Sequence, residues 1–286
     1  MHQRHVTTAL VLLLLSAAPL HAQTSVLSAE RDATLYEQIA PPLANGSGQF
    51  LFAGRTLQGL QGQRRRALLR FDLTAIPSRA NIEQVELHLE CLQFQGGTTP
   101  MSLHRVTQAW TEGASDPTGN EGQGMPALSG DCTWAHASFD GIAGGVVWAA
   151  QGGDFVTSAS ATTLSPGEGL HVWTGAGLVA DVQAMVSGTA ANHGWILLGE
   201  ESEPGTARRF ASSEDDDTSH LRPTLTIVWS LPPSCPADLD GSGTVDAADL
   251  AQLLGAWSGS AADLDGDGIT DAADLAVLLG AWGACG

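Results

Sequence analysis

Residues 238–257 read DLDGSGTVDAADLAQLLGAW and residues 263–282 read DLDGDGITDAADLAVLLGAW, so sixteen of twenty positions match at a spacing of 25. A repeat this close is an internal duplication, and each copy must form the same supersecondary unit. Oxygen-bearing residues fall at the offsets of a twelve-residue cation-binding loop in both copies. The first places Asp238, Asp240, Ser242, Asp246 and Asp249 at loop positions 1, 3, 5, 9 and 12. The second places Asp263, Asp265, Asp267, Asp271 and Asp274 at the same offsets. Thr244 or Ile269 at position 7 lends only its backbone carbonyl, while Gly243 or Gly268 at position 6 permits the sharp turn. Hard oxygen donors in this pattern suit Ca²⁺, with one ion expected per loop. A merely solvated acidic tail needs neither glycine at fixed offsets nor leucine and tryptophan at helical spacing.

Leu250, Leu253, Leu254 and Trp257 stand at i, i+3, i+4 and i+7, and Leu275, Leu278, Leu279 and Trp282 repeat them. The spacing predicts two amphipathic helices that bury their leucine faces against each other, with both tryptophans in the core. Neither loop has an incoming helix, because Pro236-Ala237 precedes the first and the Ser258–Ala262 linker precedes the second.

A loop entered without a helix and left through one, with Asp in place of Glu at position 12, closely resembles the type I dockerin. That module docks onto cohesin domains in polysaccharide-degrading assemblies. The resemblance implies a small all-α unit over 238–286 that holds two calcium ions. It also implies partner contacts at loop positions 10 and 11, which are Ala247, Ala248, Ala272 and Ala273. The helices carry no Lys or Arg, so the expected partner is a cohesin-like protein or another surface receptor.

The rest of the chain reads differently. One basic residue, Arg4, precedes an uncharged apolar run from Ala9 to Ala18, which marks 1–22 as a secretory signal peptide and the mature protein as secreted or surface-held. The run is too short for a membrane span of roughly 20 residues. Residues 231–237 form a proline-rich linker. The formal net charge of −19 disfavours nucleic acid as a partner. In an oxidising compartment four cysteines allow three pairings. Cys91 with Cys132 and Cys235 with Cys285 is preferred, since each bridge then stays within one domain.

Residues 23–230 carry short apolar or alternating runs between clusters of turn-forming residues, the pattern of a jelly-roll-type β-sandwich. The fold class expected for the whole chain is therefore mainly β, a sandwich followed by the all-α unit. Strands are predicted at 67–73, 82–94, 101–106, 194–198 and 223–229, with a helix over 177–188. Gly175-Ala-Gly-Leu-Val-Ala180 matches a dinucleotide fingerprint on paper, but without a βαβ unit it reads as a strand-to-helix turn.

The stretches Arg66-Ala-Leu-Leu-Arg70-Phe71-Asp72, Leu103-His-Arg-Val-Thr-Gln-Ala-Trp110-Thr-Glu112-Gly, Cys132-Thr-Trp134, Gly153-Asp154-Phe155, Arg209-Phe210-Ala-Ser and Arg222-Pro223-Thr-Leu together resemble the DNRLRE family of secreted β-sandwich modules. Some members of that family are classed as carbohydrate-binding. The resemblance implies a binding role, with Arg64, Arg65, Arg66, Arg208 and Arg209 as candidate forks for sugar carboxylates such as those of alginate; the competing and favoured reading is that Arg70 and some of these form structural pairs with nearby Asp and Glu. Trp110, Trp134, Trp148, Trp173 and Trp195 are candidate stacking platforms, most of them expected in the core.

No HExxH, GxSxG or P-loop motif is present. Glu112 and Asp116 are the candidate acid/base pair of a polysaccharide-degrading enzyme, the rival to a non-catalytic binder; a structural surface protein is a third reading. The acidic run 214–217 reads as a solvated loop, with a further Ca²⁺ site as the alternative.

Overall fold

The computed structural model describes residues 22–57, 62–142, 144–232 and 235–285. The signal peptide therefore lies, Ala22 apart, outside the described residues, as does part of the linker. The chain divides into two compact units, Ala22–Leu231 and Pro232–Gly286.

The first unit contains β1 (Gln23–Tyr36), β2 (Leu43–Ala44), β3 (Phe50–Arg55), β4 (Arg64–Phe71), β5 (Asn81–Phe94), β6 (Thr99–Arg105) and β7 (Met125–Pro126). It continues with β8 (His136–Phe139), β9 (Gly145–Val147), β10 (Ala161–Ser165), β11 (Gly169–Thr174), α1 (Ala176–Val186), β12 (Trp195–Leu198), β13 (Arg208–Ala211) and β14 (Thr224–Ser230). The second unit holds β15 (Thr244–Val245), α2 (Ala247–Gly255), α3 (Ala272–Gly280) and β16 (Gly283–Ala284).

A mainly β chain is found, but the jelly-roll sandwich is not. Hydrogen-bonded neighbours run β1-β14-β5-β13-β3-β4 and back to β1, closing six strands into a barrel. Two corner strands make the closure. The first half of β1 pairs with β14 and its second half with β4, the register shifting between Ala29 and Arg31. Strand β3 pairs with β13 along Phe50–Ala53, then turns at Gly54, whose φ of 109° suits only glycine, to meet β4. Closure removes the exposed edges that two separate sheets would present.

The alternation in β5 sends Val85, Leu87, Leu89 and Cys91 into the main core beside Trp173, Trp195 and Phe210. Strands β4 and β12 are buried on both faces. Ala67, Leu69 and Phe71 enter the main core, while Leu68 and Ile196 join a second cluster with Trp110, Trp134, Trp148 and Cys132. That cluster belongs to the long excursion between β6 and β10, which covers the outside of the barrel. All five candidate tryptophan platforms are buried, at 0–4 % exposure. Cys91 and Cys132 lie in these different clusters and are both free, which corrects the expected bridge. Helix α1 starts directly after Thr174, with Gly175 at its N-cap, so the glycine motif is the strand-to-helix turn.

In the second unit, Cys235 and Cys285 form a disulfide. Both helices appear at the repeat spacing, yet the unit is not all-α. β15 pairs antiparallel with β16, Thr244 opposite Ala284 and Val245 opposite Gly283. The disulfide holds the chain end beside the first loop, and the Cys285 N–H donates to the Gly243 carbonyl at 3.0 Å. The leucine faces are also narrower than expected. Leu253 and Leu278 are fully buried, whereas Leu254 (52 %), Leu279 (52 %), Trp257 (43 %) and Trp282 (49 %) are exposed. Among the described residues no helix is long and apolar enough to cross a membrane.

Candidate metal centre

Each acidic loop is held open by its own backbone. In the first, Asp238 accepts from the N–H groups of Ser242 (3.0 Å) and Gly243 (2.8 Å), and Asp240 accepts from Ser242 (3.0 Å). In the second, Asp263 accepts from Gly266 (2.7 Å), Asp267 (3.1 Å) and Gly268 (2.7 Å). Both position-6 glycines have positive φ, 87° at Gly243 and 95° at Gly268, as the turn requires.

The helices begin inside the loops. Asp246 is the N-cap of α2 and accepts from the Ala248 N–H at 2.7 Å, while Asp249 accepts from the Asp246 N–H at 2.8 Å, a complete capping box. The other Asp249 oxygen takes the N–H groups of Leu239 (2.7 Å) and Asp240 (3.1 Å), which pins the loop's entry to its exit. Asp271 and Asp274 reproduce all of this around α3. Asp249 and Asp274 are buried. The Asp246 and Asp271 N–H groups, ahead of the other donors, hold their carboxyls below the ordinary value. Asp265 goes the other way. The Asp267 N–H lowers it, but desolvation and repulsion from Asp267, Asp274 and Asp263 outweigh that and raise it.

Asp238, Asp240 and Asp249 each bring an oxygen within 4.8 Å of the others, as do Asp263, Asp265 and Asp267. Ca–O distances of roughly 2.3–2.6 Å place opposite ligands about 5 Å apart, so these carboxylates fit a calcium-sized ion. The remaining candidate ligands stand outside those groups. Asp246 and Asp271 cap helices, Asp274 lies outside the second group although it makes the same backbone bonds as Asp249, and the Ser242 hydroxyl donates to the Thr244 carbonyl at 3.1 Å. Ile269 is exposed. Ala247, Ala248, Ala272 and Ala273 are exposed on the first turns of α2 and α3.

The candidate sugar-binding arginines are mostly tied into the barrel. Arg66 is 7 % exposed and forms a two-pronged pair with Glu201 (2.7 and 2.8 Å), while its third nitrogen donates to the Gly152 carbonyl. Arg64 pairs with Glu37 at 2.7 Å and lies over Trp134. Arg65 is fully buried over the Tyr36 ring, and burial lowers its pKa to about 10. Arg208 is buried, its donors taken by Ser165, Thr99 and the carbonyls of Gln95, Gly97, Thr206 and Ala207. Only Arg209 of the five borders a large cleft without such a cage.

Sequence reasoning singled out Glu112 and the 214–217 run separately, but not Asp32 or the group the three form. Asp32, Glu112 and Glu214 offer oxygens within 4.8 Å of one another, although 80 or more residues separate Asp32 from each of the other two. Burial, reinforced by Glu214, raises Asp32 well above its ordinary value, and burial raises Glu112 to about 7. Asp116 is not part of the group. Nor is the 214–217 run fully solvated, since Asp215 is buried and bonded to His220 at 2.8 Å.

Fold and site together define a mainly β protein, a closed barrel followed along the chain by a duplicated acidic loop–helix unit. No family model matches the chain, and no curated protein matches it.

Proposed function

We propose that this is a secreted, non-catalytic calcium-binding protein whose C-terminal unit attaches it to a protein partner while the barrel binds carbohydrate or a cell-surface component. The duplicated loops carry the reading. Each of the two turns converges three carboxylate oxygens at calcium spacing, and without a cation those carboxylates repel one another. Type I dockerin-like attachment follows from the loop–helix repeat, with the exposed alanine pairs on the first turns of α2 and α3 and a cohesin-like or other surface receptor as partner. Attachment of this kind links the protein to polysaccharide binding or breakdown.

Calorimetric titration of the full chain, stripped with a chelator, tests the metal. Two calcium sites are expected, the second loop tighter because Asp267 supplies a carboxylate where the first has Ser242. Ser242→Asp is expected to strengthen the weaker site by roughly tenfold, since affinity in such loops follows ligand charge. No uptake at millimolar calcium sinks the reading. A reducing-sugar release assay beside a glycan-binding panel tests the barrel, with binding and no release expected.

A further inference from the structure

A cleft of about 810 Å³ in the barrel unit lies within the range of small-ligand sites, roughly 300–1,000 Å³. Its floor is the outer face of three neighbouring strands. Gln93 of β5 stands opposite Arg209 of β13, and Arg209 stands opposite Phe52 of β3, so the three side chains form one row across the ladder. The register shift between Arg209 and Phe210 marks the place where β13 bends against β5. Beyond the row, Phe94 and Gln95 close β5, and the loop carrying Asn120 and Gln123 forms the facing wall.

What these groups offer a ligand follows from what they already hold. Arg208 spends its donors on carbonyls and hydroxyls. Arg209 lies on the Phe50 ring at 4.2 Å and donates to Asn120 at 3.4 Å. The Glu121 carboxylate is already engaged, accepting from Gln49 N–H, Phe50 N–H and the Asn45 side chain. Among the described residues, the side-chain amides of Gln93, Gln95 and Gln123 make no hydrogen bond within the protein, and all three are exposed. Phe94 is 39 % exposed, backed by Arg208 at 5.4 Å. An aromatic surface flanked by side-chain amides, each able to donate and accept, matches a ring with one apolar C–H face and paired hydroxyls. Between Gln23 and Leu231 the chain carries 22 acidic and 11 basic residues, which repels a polyanion approaching the barrel.

We propose that this cleft binds an uncharged pyranose glycan, its C–H face on Phe94 and its hydroxyls on the amides of Gln93, Gln95, Asn120 and Gln123. The proposal rests on the barrel being a glycan binder, and it replaces acidic sugar on the arginines with neutral sugar on the amides.

The test is equilibrium binding of the full chain to neutral oligosaccharides (glucan, mannan, galactan and xylan) and to oligouronates, at low and high salt. Wild type, Phe94→Ala and a Gln95→Ala/Gln123→Ala variant are compared. All three positions are exposed, and the melting temperature of each variant confirms folding. The expected result is neutral-glycan binding insensitive to salt, weakened at least tenfold by Phe94→Ala and clearly by the double variant. Neutral binding that survives both variants overturns the cleft but leaves the barrel a glycan binder. Binding confined to oligouronates and lost in high salt overturns the ligand chemistry. Binding to no glycan at all removes the proposal together with the reading beneath it.

Discussion

Burial favours the protonated forms of both Asp32 and Glu112, and Glu214 beside them adds to both shifts. The sign of the pH effect follows directly. A carboxyl whose folded pKa lies above its unfolded value contributes stability in full below the unfolded value, and loses it as pH rises through the folded one. Glu112 moves from 4.5 to about 7 and Asp32 moves in the same direction. The melting temperature followed by the fluorescence of the buried tryptophans is therefore expected to fall between pH 5 and pH 8. Glu112→Gln keeps an acceptor for the Asp32 N–H and removes the titration, so it should flatten that fall. A profile as steep in Glu112→Gln as in wild type rejects the assignment. None of this was legible in the sequence, because 80 residues separate Asp32 from Glu112 and their meeting depends on how the excursion after β6 folds over β1. The acidic loops were legible because every oxygen in them is local. Structural pairing was expected for some of the arginines and Arg66 with Glu201 fits it, but which of them the fold would enclose was not legible. A charged residue on a strand reads as solvent-facing, and only the tertiary fold reveals that Trp134, Tyr36 or a ring of carbonyls covers it.

Helices α2 and α3 span nine residues each, shorter than the roughly 12–15 that sustain an isolated helix in water. They persist because a capping box starts each one and because Leu253 and Leu278 are buried together with Val245, Ala237 and Ala262. Periodicity marked the apolar stripe correctly but could not give its buried width. One neighbouring helix and a two-stranded ladder cover the centre of the stripe and leave its margin open, which is why Leu254 and Trp257 stay in water. A paired substitution separates centre from margin. Leu253→Ala is expected to destabilise the C-terminal unit by about 2–5 kcal/mol, the range for removing a fully buried leucine side chain. Leu254→Ala should cost well under about 1 kcal/mol. Helical circular dichroism in a denaturant series on the full chain reads both, and equal costs contradict the burial described. The barrel strands divide in a similar way. The alternation of β5 was visible because one of its faces meets the core and the other does not. The second half of β1 alternates polar and apolar residues from Asp32 to Leu35, yet every one of them is buried, so its alternation marks no solvent face. Nothing in a strand's own residues encodes ring closure, which depends on the partner each corner strand takes after its bulge.

The two units hold themselves together by different means, and their cysteines follow that division. The first has an extensive apolar core and uses Cys91 and Cys132 as small hydrophobic groups within it. The Cys91 thiol is raised by burial to about 11 and Cys132 higher still, so neither forms a ready thiolate near neutral pH. The second spans 232–286 and is too small to rely on apolar burial alone, the size at which natural domains add disulfides or metals. Its Cys235–Cys285 bridge joins residues 50 apart, worth about 4 kcal/mol in the chain-entropy account. A reductant should therefore act on one unit alone. In scanning calorimetry of the full chain, the transition of the C-terminal unit is expected to move sharply down on reduction and further down with a chelator. The transition that releases the buried tryptophans is expected to hold its temperature. If the tryptophan transition falls with reductant as well, Cys91 and Cys132 are bridged after all, and the two clusters that separate them are wrongly placed. If neither moves, the bridge contributes nothing, and the C-terminal unit must draw its stability from its loops and leucines.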